Sequence, residues 1–212
     1  GEPLIVPYLD RLIDYINQSG MSVSVIINGS LLTIDRVTKW ISKVDMIGVS
    51  IDSLNQTTNL LIGRNYRGTS INLIKLIDTL NFAQRNNILI KVNTVVSKMN
   101  LDEDMTELYE SINLDRIKLL QVRVNGNCNE RAAQYAMTNE EFKTYCNKYE
   151  NIKNLIIESD EDIESSYVII DPHGDLITND NHNQRTIGSL LNHHLDDLIH
   201  QANINETKFY QR

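Results

Sequence analysis

Short β-branched runs alternate with segments of helical period along the first 150 residues of this 212-residue chain. The runs at 23–27, 45–52, 88–96 and 116–124 are rich in β-branched residues, the composition of strands covered on both faces. Helical spacing fills 4–17, 33–44, 69–86, 102–113 and 139–150. Ser19-Gly20 stops the first helix, Thr33 and Asp35 open the second, and Thr69 or Ser70 opens the third. Thr138 with Glu141 three residues on predicts a capping box for the last. Repeated strand–helix units imply a parallel sheet with right-handed crossovers, an α/β class. The chain opens on a helix, so its first unit reads as cut open and the architecture as N-terminally incomplete. Residues 1–150 form the expected body and 151–212 an extension. In the extension we expect a strand at 167–171, a turn at Pro172-His173-Gly174-Asp175, a hairpin return at 176–178 and a final helix at 189–202.

The charge excludes some functions. Lys and Arg total 20 against 28 Asp and Glu, a net charge of −8. The sequence pI is near 5.1, against broad nucleic-acid binding, which needs a basic face. No apolar run approaches a membrane span, so no membrane partner is expected. Two cysteines, Cys128 and Cys146, make no disulfide framework; a reducing, cytoplasmic setting is the simplest expectation.

In parallel α/β folds, sites lie at the carboxyl ends of strands. That rule selects Gly1-Glu2-Pro3, Asn28-Gly29-Ser30, Ser50, Asp52, Lys91, Asn93, Lys118, Gln121 and Arg123. Lys91 and Lys118 interrupt apolar strands, where an isolated lysine is costly unless an anion pairs with it. With Arg64 they would converge on a carboxylate or a polyphosphate. The opposing reading has strand alternation pointing each lysine to solvent on an edge strand; the pattern alone leaves both open.

The same residues carry a family resemblance. Asn28-Gly29-Ser30-Leu31, Ser50-Ile51-Asp52-Ser53, Leu61-Ile62-Gly63-Arg64, Lys91-Val92-Asn93, Asn100-Leu101-Asp102-Glu103-Asp104-Met105, Lys118-Leu119-Leu120-Gln121 and Ser166-Tyr167-Val168-Ile169-Ile170-Asp171 follow one another in a specific order and spacing. In them the chain resembles the viperin-like radical S-adenosylmethionine (SAM) nucleotide dehydratases. The resemblance implies a partial (β/α)6 radical-SAM barrel. It implies a SAM cofactor, a [4Fe–4S] cluster in the parent enzyme and an external electron donor. The implied reaction, serving antiviral defence, dehydrates a nucleoside triphosphate (CTP, or UTP/GTP) to its 3′-deoxy-3′,4′-didehydro form. By the same resemblance, Gly1, Glu2, Pro3 and Asn28 belong to the cofactor site, where Gly1-Glu2-Pro3 holds the SAM amino group. Ser50 and Arg64 would grip the SAM carboxylate, Lys91, Asn93 and Lys118 would face the nucleotide, and Tyr167 would give a hydrogen atom to a radical.

The family's CxxxCxxC cluster motif is absent from this sequence, and two cysteines are too few for such a cluster. A chain that begins inside the second β/α unit is the expectation, ahead of a degenerate member; on either account this chain alone should not reduce SAM. The alternative function is a cluster-free barrel acting as a nucleotide- or SAM-binding module. No metal site is expected: His193 and Asp197 share a helical spacing but lack a third ligand. The Arg185-Thr186-Ile187-Gly188 stretch is a weak candidate for a phosphate loop.

Overall fold

The computed structural model describes residues 2–66, 68–126, 129–180 and 182–210. After a single 3-10 turn at Pro3–Ile5, the main helices and strands begin with α1 (Leu9–Gln18), β1 (Ser24–Ile27), α2 (Ile34–Trp40) and β2 (Met46–Ser50). Then come α3 (Gln56–Leu61), the small hairpin β3 (Asn65–Tyr66) and β4 (Thr69–Ser70), and α4 (Leu73–Arg85). β5 (Leu89–Val96), α5 (Thr106–Ser111), β6 (Arg116–Gln121), α6 (Asn139–Asn147) and β7 (Leu155–Glu158) complete the body. Beyond it lie α7 (Asp160–Ile163), β8 (Ile169–Ile170), β9 (Asp175–Asp180), β10 (Asn183–Ser189), α8 (Leu195–Ala202) and α9 (Glu206–Tyr210).

The main sheet has five strands in the order β1-β2-β5-β6-β7, every neighbouring pair parallel. This is the parallel α/β sheet that the alternation predicts. The fifth strand, β7, comes from a stretch that the sequence reading gave to the extension. Side chains alternate across a strand, and parallel register aligns that alternation between strands. One phase holds Val25, Ile27, Ile47, Val49, Ile90, Val92, Val96, Ile117 and Leu119, all buried in one hydrophobic cluster. The helices close over that phase with Leu9, Ile13, Val37, Trp40, Leu76, Leu80, Leu108, Phe142 and Tyr145. The other phase is different. Ile26 and Leu89 lie 43% and 45% exposed, and the same face carries Gly48, Ser50, Lys91, Asn93, Lys118 and Glu158. The helices therefore cover one face of the sheet and leave the polar face to build a site.

Local chemistry fixes the boundaries. The Thr33 hydroxyl caps α2 by accepting from Arg36 N, and Thr138 and Glu141 form the predicted capping box of α6. The third helix starts later than the sequence suggests. Thr69 and Ser70 are taken by pairing with Asn65 and Tyr66, and Asn72 caps α4 instead by accepting from Lys75 N. The extension is a three-stranded antiparallel sheet, β10-β9-β8, with Leu176, Leu198 and Ala202 in a second small core. Arg185-Thr186-Ile187-Gly188 lies in β10, paired to β9 across a bulge, rather than in a phosphate loop. The helix expected at 189–202 begins only at Leu195, because Ser189 still belongs to β10. Among the described residues, no helix is long and apolar enough to cross a membrane.

Gly29 sets the turn that leaves β1. Its φ is +82°, and an added Cβ would meet Leu76 Cδ2 at 2.9 Å and Val49 Cγ2 at 3.1 Å. Gly29→Ala therefore combines left-handed strain with crowding against α4, and should cost about 1–3 kcal/mol in urea unfolding. An unchanged unfolding midpoint would contradict this reading of the turn.

Candidate functional site

The polar face is assembled by register. Ser50 of β2 stands opposite Asn93 of β5, which stands opposite Lys118 of β6. One step lower, Gly48 is opposite Lys91 and Lys91 opposite Arg116. Lys91 and Lys118 thus lie on one face of adjacent inner strands, and β1 and β7, not β5 and β6, form the sheet edges. The edge-strand reading of these lysines is excluded. Asn93 is 7% exposed, and its Oδ1 has no hydrogen-bond partner among the described residues. A buried acceptor left unsatisfied between a hydroxyl and an ammonium calls for a ligand or water.

Lys118 is not an isolated cation. Its Nζ forms an ion pair with Glu158 of β7, with both side chains almost fully buried. It also donates to Tyr167 Oη at 2.9 Å, and that hydroxyl donates to Glu158 Oε2 at 2.8 Å. Glu158 is the residue that sequence reasoning missed. The signal was present: it is a charge ending the apolar run Leu-Ile-Ile-Glu, the same anomaly that marked the two lysines. Tyr167 lies just ahead of β8 and joins the extension to the sheet's polar face.

At the carboxyl end of β2, Asp52 and Arg64 meet. Arg64 Nε donates to Asp52 Oδ2 at 2.5 Å, and Val95 N donates to Asp52 Oδ1 at 2.8 Å. Burial pushes the Asp52 carboxyl above its ordinary range, while the guanidinium and the Val95 amide pull it back down. A cavity of about 210 Å³ opens beside the pair, lined by Asp52, Gly63, Arg64, Val95, Ser97, Val122 and Tyr135 among others. Surrounding loops are tied in place. Asn100, fully buried, donates from Nδ2 to Asp52 O at 2.6 Å and to Val95 O at 2.9 Å. Ser53 Oγ donates to Glu103 Oε2 at 2.5 Å.

The N-terminal segment reaches the same end of the sheet. Glu2 Oε2 accepts from Asn28 N at 2.7 Å, and Oε1 accepts from Leu4 N at 3.1 Å. Pro3 follows at the start of the 3-10 turn, where its missing N–H costs nothing. Asn28 Oδ1 accepts from Ser30 N and Oγ, so that oxygen belongs to the turn. Gly1 lies outside the described residues. Gln121 points away from the polar face, donating to Met137 O and Asn139 Oδ1. Arg123 is engaged by Asn125 Oδ1 and Asp160.

No protein-family model matches the chain. Curated relatives do. An S-adenosylmethionine-dependent nucleotide dehydratase of Flammeovirga pacifica is 30% identical over 213 residues, covering 100% of this chain and 73% of that protein. One from a Thermoplasmatales archaeon (strain ISO4-H5) is 30% identical over 188 residues, covering 88% and 67% respectively. The chain belongs to the S-adenosylmethionine-dependent nucleotide dehydratase family. Among solved structures, native anSMEcpe with bound AdoMet matches with a TM-score of 0.63 at 11% identity, over 100% of this chain and 66% of that one. A domain of pyruvate-formate lyase-activating enzyme from Bacteroides vulgatus matches at 0.55 and 15% identity, over 74% and 94%. These neighbours establish the fold of this dehydratase-family chain as that of the radical SAM partial barrels.

The iron–sulfur cluster does not fit the residues present. Cys128 lies outside the described residues. Cys146 is buried in α6, and burial pushes its thiol up to about 12, whereas a cluster ligand must be a thiolate. Among the described residues, no three His, Cys, Asp or Glu are grouped to hold a metal ion.

Removing one member of the Lys118–Glu158 pair should be worse than removing both. Glu158→Ala takes the Glu158 counter-charge away from a buried ammonium and should cost about 3–5 kcal/mol in urea unfolding. The double variant Lys118→Met, Glu158→Leu should recover a large part of that loss. Additive losses would show that the pair is not coupled.

Proposed function

We propose that this chain is the SAM- and nucleotide-binding body of a radical SAM enzyme that dehydrates a nucleoside triphosphate, CTP or another such as UTP or GTP. The observation that carries this reading is the row Ser50–Asn93–Lys118, aligned by strand register on the helix-free face with the Asn93 acceptor unsatisfied. Family membership supports the same ligands.

In this reading the cofactor lies across the carboxyl ends of β1 and β2. Arg64 receives the carboxylate of SAM with Ser50 beside it, since a guanidinium fork matches a carboxylate. Glu2, Pro3 and Asn28 form the wall near the amino group; the Glu2 carboxylate supplies the negative charge an ammonium needs. The nucleotide lies farther along the row. Lys91 offers a charged donor for phosphate oxygens, and Asn93 an acceptor and donors for sugar or base. Tyr167, held by Lys118 and Glu158, presents a phenol whose O–H can leave as a hydrogen atom. Burial of these groups strengthens each polar contact and keeps water away from a reactive intermediate. An electron donor would come from outside the chain, and the cluster ligands are not among its residues.

Titration calorimetry with SAM and with CTP, UTP and GTP tests the reading. SAM and at least one triphosphate should bind, and Lys91→Ala should weaken the triphosphate about tenfold or more while sparing SAM. No binding of SAM or of any nucleotide would overturn it.

A second reading is favoured by the cysteine content of the sequence, two residues in all. On that account the chain is a cluster-free module that holds SAM or a nucleotide without turning it over. The two accounts part at the sequence encoded ahead of Gly1. Three cysteines in CxxxCxxC spacing there support the enzyme, and their absence supports the module.

A further inference from the structure

Arg64 alone would be a poor clamp. A guanidinium on a long side chain, 29% exposed, samples many rotamers, and a ligand that binds it must fix them all. Asp52 removes that freedom. Its side chain is 6% exposed, and its Oδ1 is pinned by the Val95 amide at the end of β5. Its other oxygen takes Arg64 Nε at 2.5 Å. The backbone on both sides is held too: Asn100 Nδ2 donates to Asp52 O, and Arg64 N donates to Asn59 O at 2.7 Å. Asp52 occupies the Nε side of the fork. The opposite edge, Nη1 and Nη2, makes no hydrogen bond to the described residues, and Arg64 lines the 210 Å³ cavity.

We propose that Asp52 is a positioning residue that aims the Nη edge of Arg64 at a ligand carboxylate and makes the site selective for a zwitterionic amino-acid head group. The selectivity follows from charge. Asp52 already neutralises Arg64, so a bare carboxylate entering the cavity adds an uncompensated negative charge, whereas an α-amino acid brings its own ammonium. That group would find the carboxylate of Glu2, which caps the N-terminal turn and accepts from Asn28 N. The inference rests on the reading of Arg64 as the SAM carboxylate ligand, and it adds the residue that makes that arginine effective.

The test compares SAM with decarboxylated SAM, which keeps the adenosyl sulfonium and the amine but lacks the carboxylate. Binding of both is measured by calorimetry for the unaltered chain, Asp52→Asn and Arg64→Gln, with melting curves for each. Asp52→Asn keeps the acceptor for Val95 N but turns an amide or a neutral oxygen toward Arg64. It should weaken SAM about tenfold and leave decarboxylated SAM within about twofold. Arg64→Gln should lose the same discrimination. If Asp52→Asn does not melt cooperatively, Asp52→Glu, which keeps the charge and shifts it by one methylene, carries the comparison with the same expected order. Equal loss of both ligands would mean that Asp52 only supports the fold, and loss of neither that it does not act on Arg64; each overturns the proposal even where Arg64→Gln weakens SAM and spares decarboxylated SAM. If the unaltered chain and Arg64→Gln bind the two ligands alike, the underlying reading of Arg64 fails as well.

Discussion

Parallel pairing of β2, β5 and β6 in one register is the constraint on which the site depends. Because strand side chains alternate, that register sorts every residue of the sheet onto one of two faces. One face is buried under helices by Val, Ile and Leu, and this burial fixes the register. A slip of one residue would drive Lys91, Asn93 and Lys118 into the helix layer and expose Ile90, Val92 and Ile117. The apolar side of the sheet thus holds the polar side in place, and the site is rigid because the core is.

Charges on the polar face come in compensated sets. Lys118 is balanced by Glu158, and Arg64 by Asp52. A buried cation without a counter-charge would cost several kcal/mol per ion. The chain therefore meets an anionic ligand with cations that are already oriented, and a ligand must bring compensating charge or displace a partner. Such an arrangement favours ligands with mixed charge or several polar groups over a simple anion.

Most of the body was legible because each strand is a β-branched run and each helix keeps its period. Lys91, Asn93 and Lys118 stood out as polar residues inside apolar runs, and the structure puts them on one face. Their alignment across strands was not legible, since it is set by how α4 and α5 pack between them. β7 was missed because Leu155–Glu158 has only four residues, and periodicity cannot separate so short a run from the end of a helix. With it went Glu158, which meets Lys118 only through that pairing. β10 was missed for the opposite reason: Gln184, Arg185 and Thr186 are polar, and the strand is held by its partner β9 more than by its own pattern. Thr69 and Ser70 looked like a helix start because hydroxyl residues cap helices, but the β3–β4 pairing took them first.

The most direct test is a crystal structure of the chain with SAM and a nucleoside triphosphate. The account predicts both ligands on the helix-free face, with the SAM carboxylate at Arg64 and the nucleotide in contact with Asn93 and Lys91. Ligands found instead in the groove beside Leu60, Ile71 and Ile74, with the polar row untouched, would contradict it.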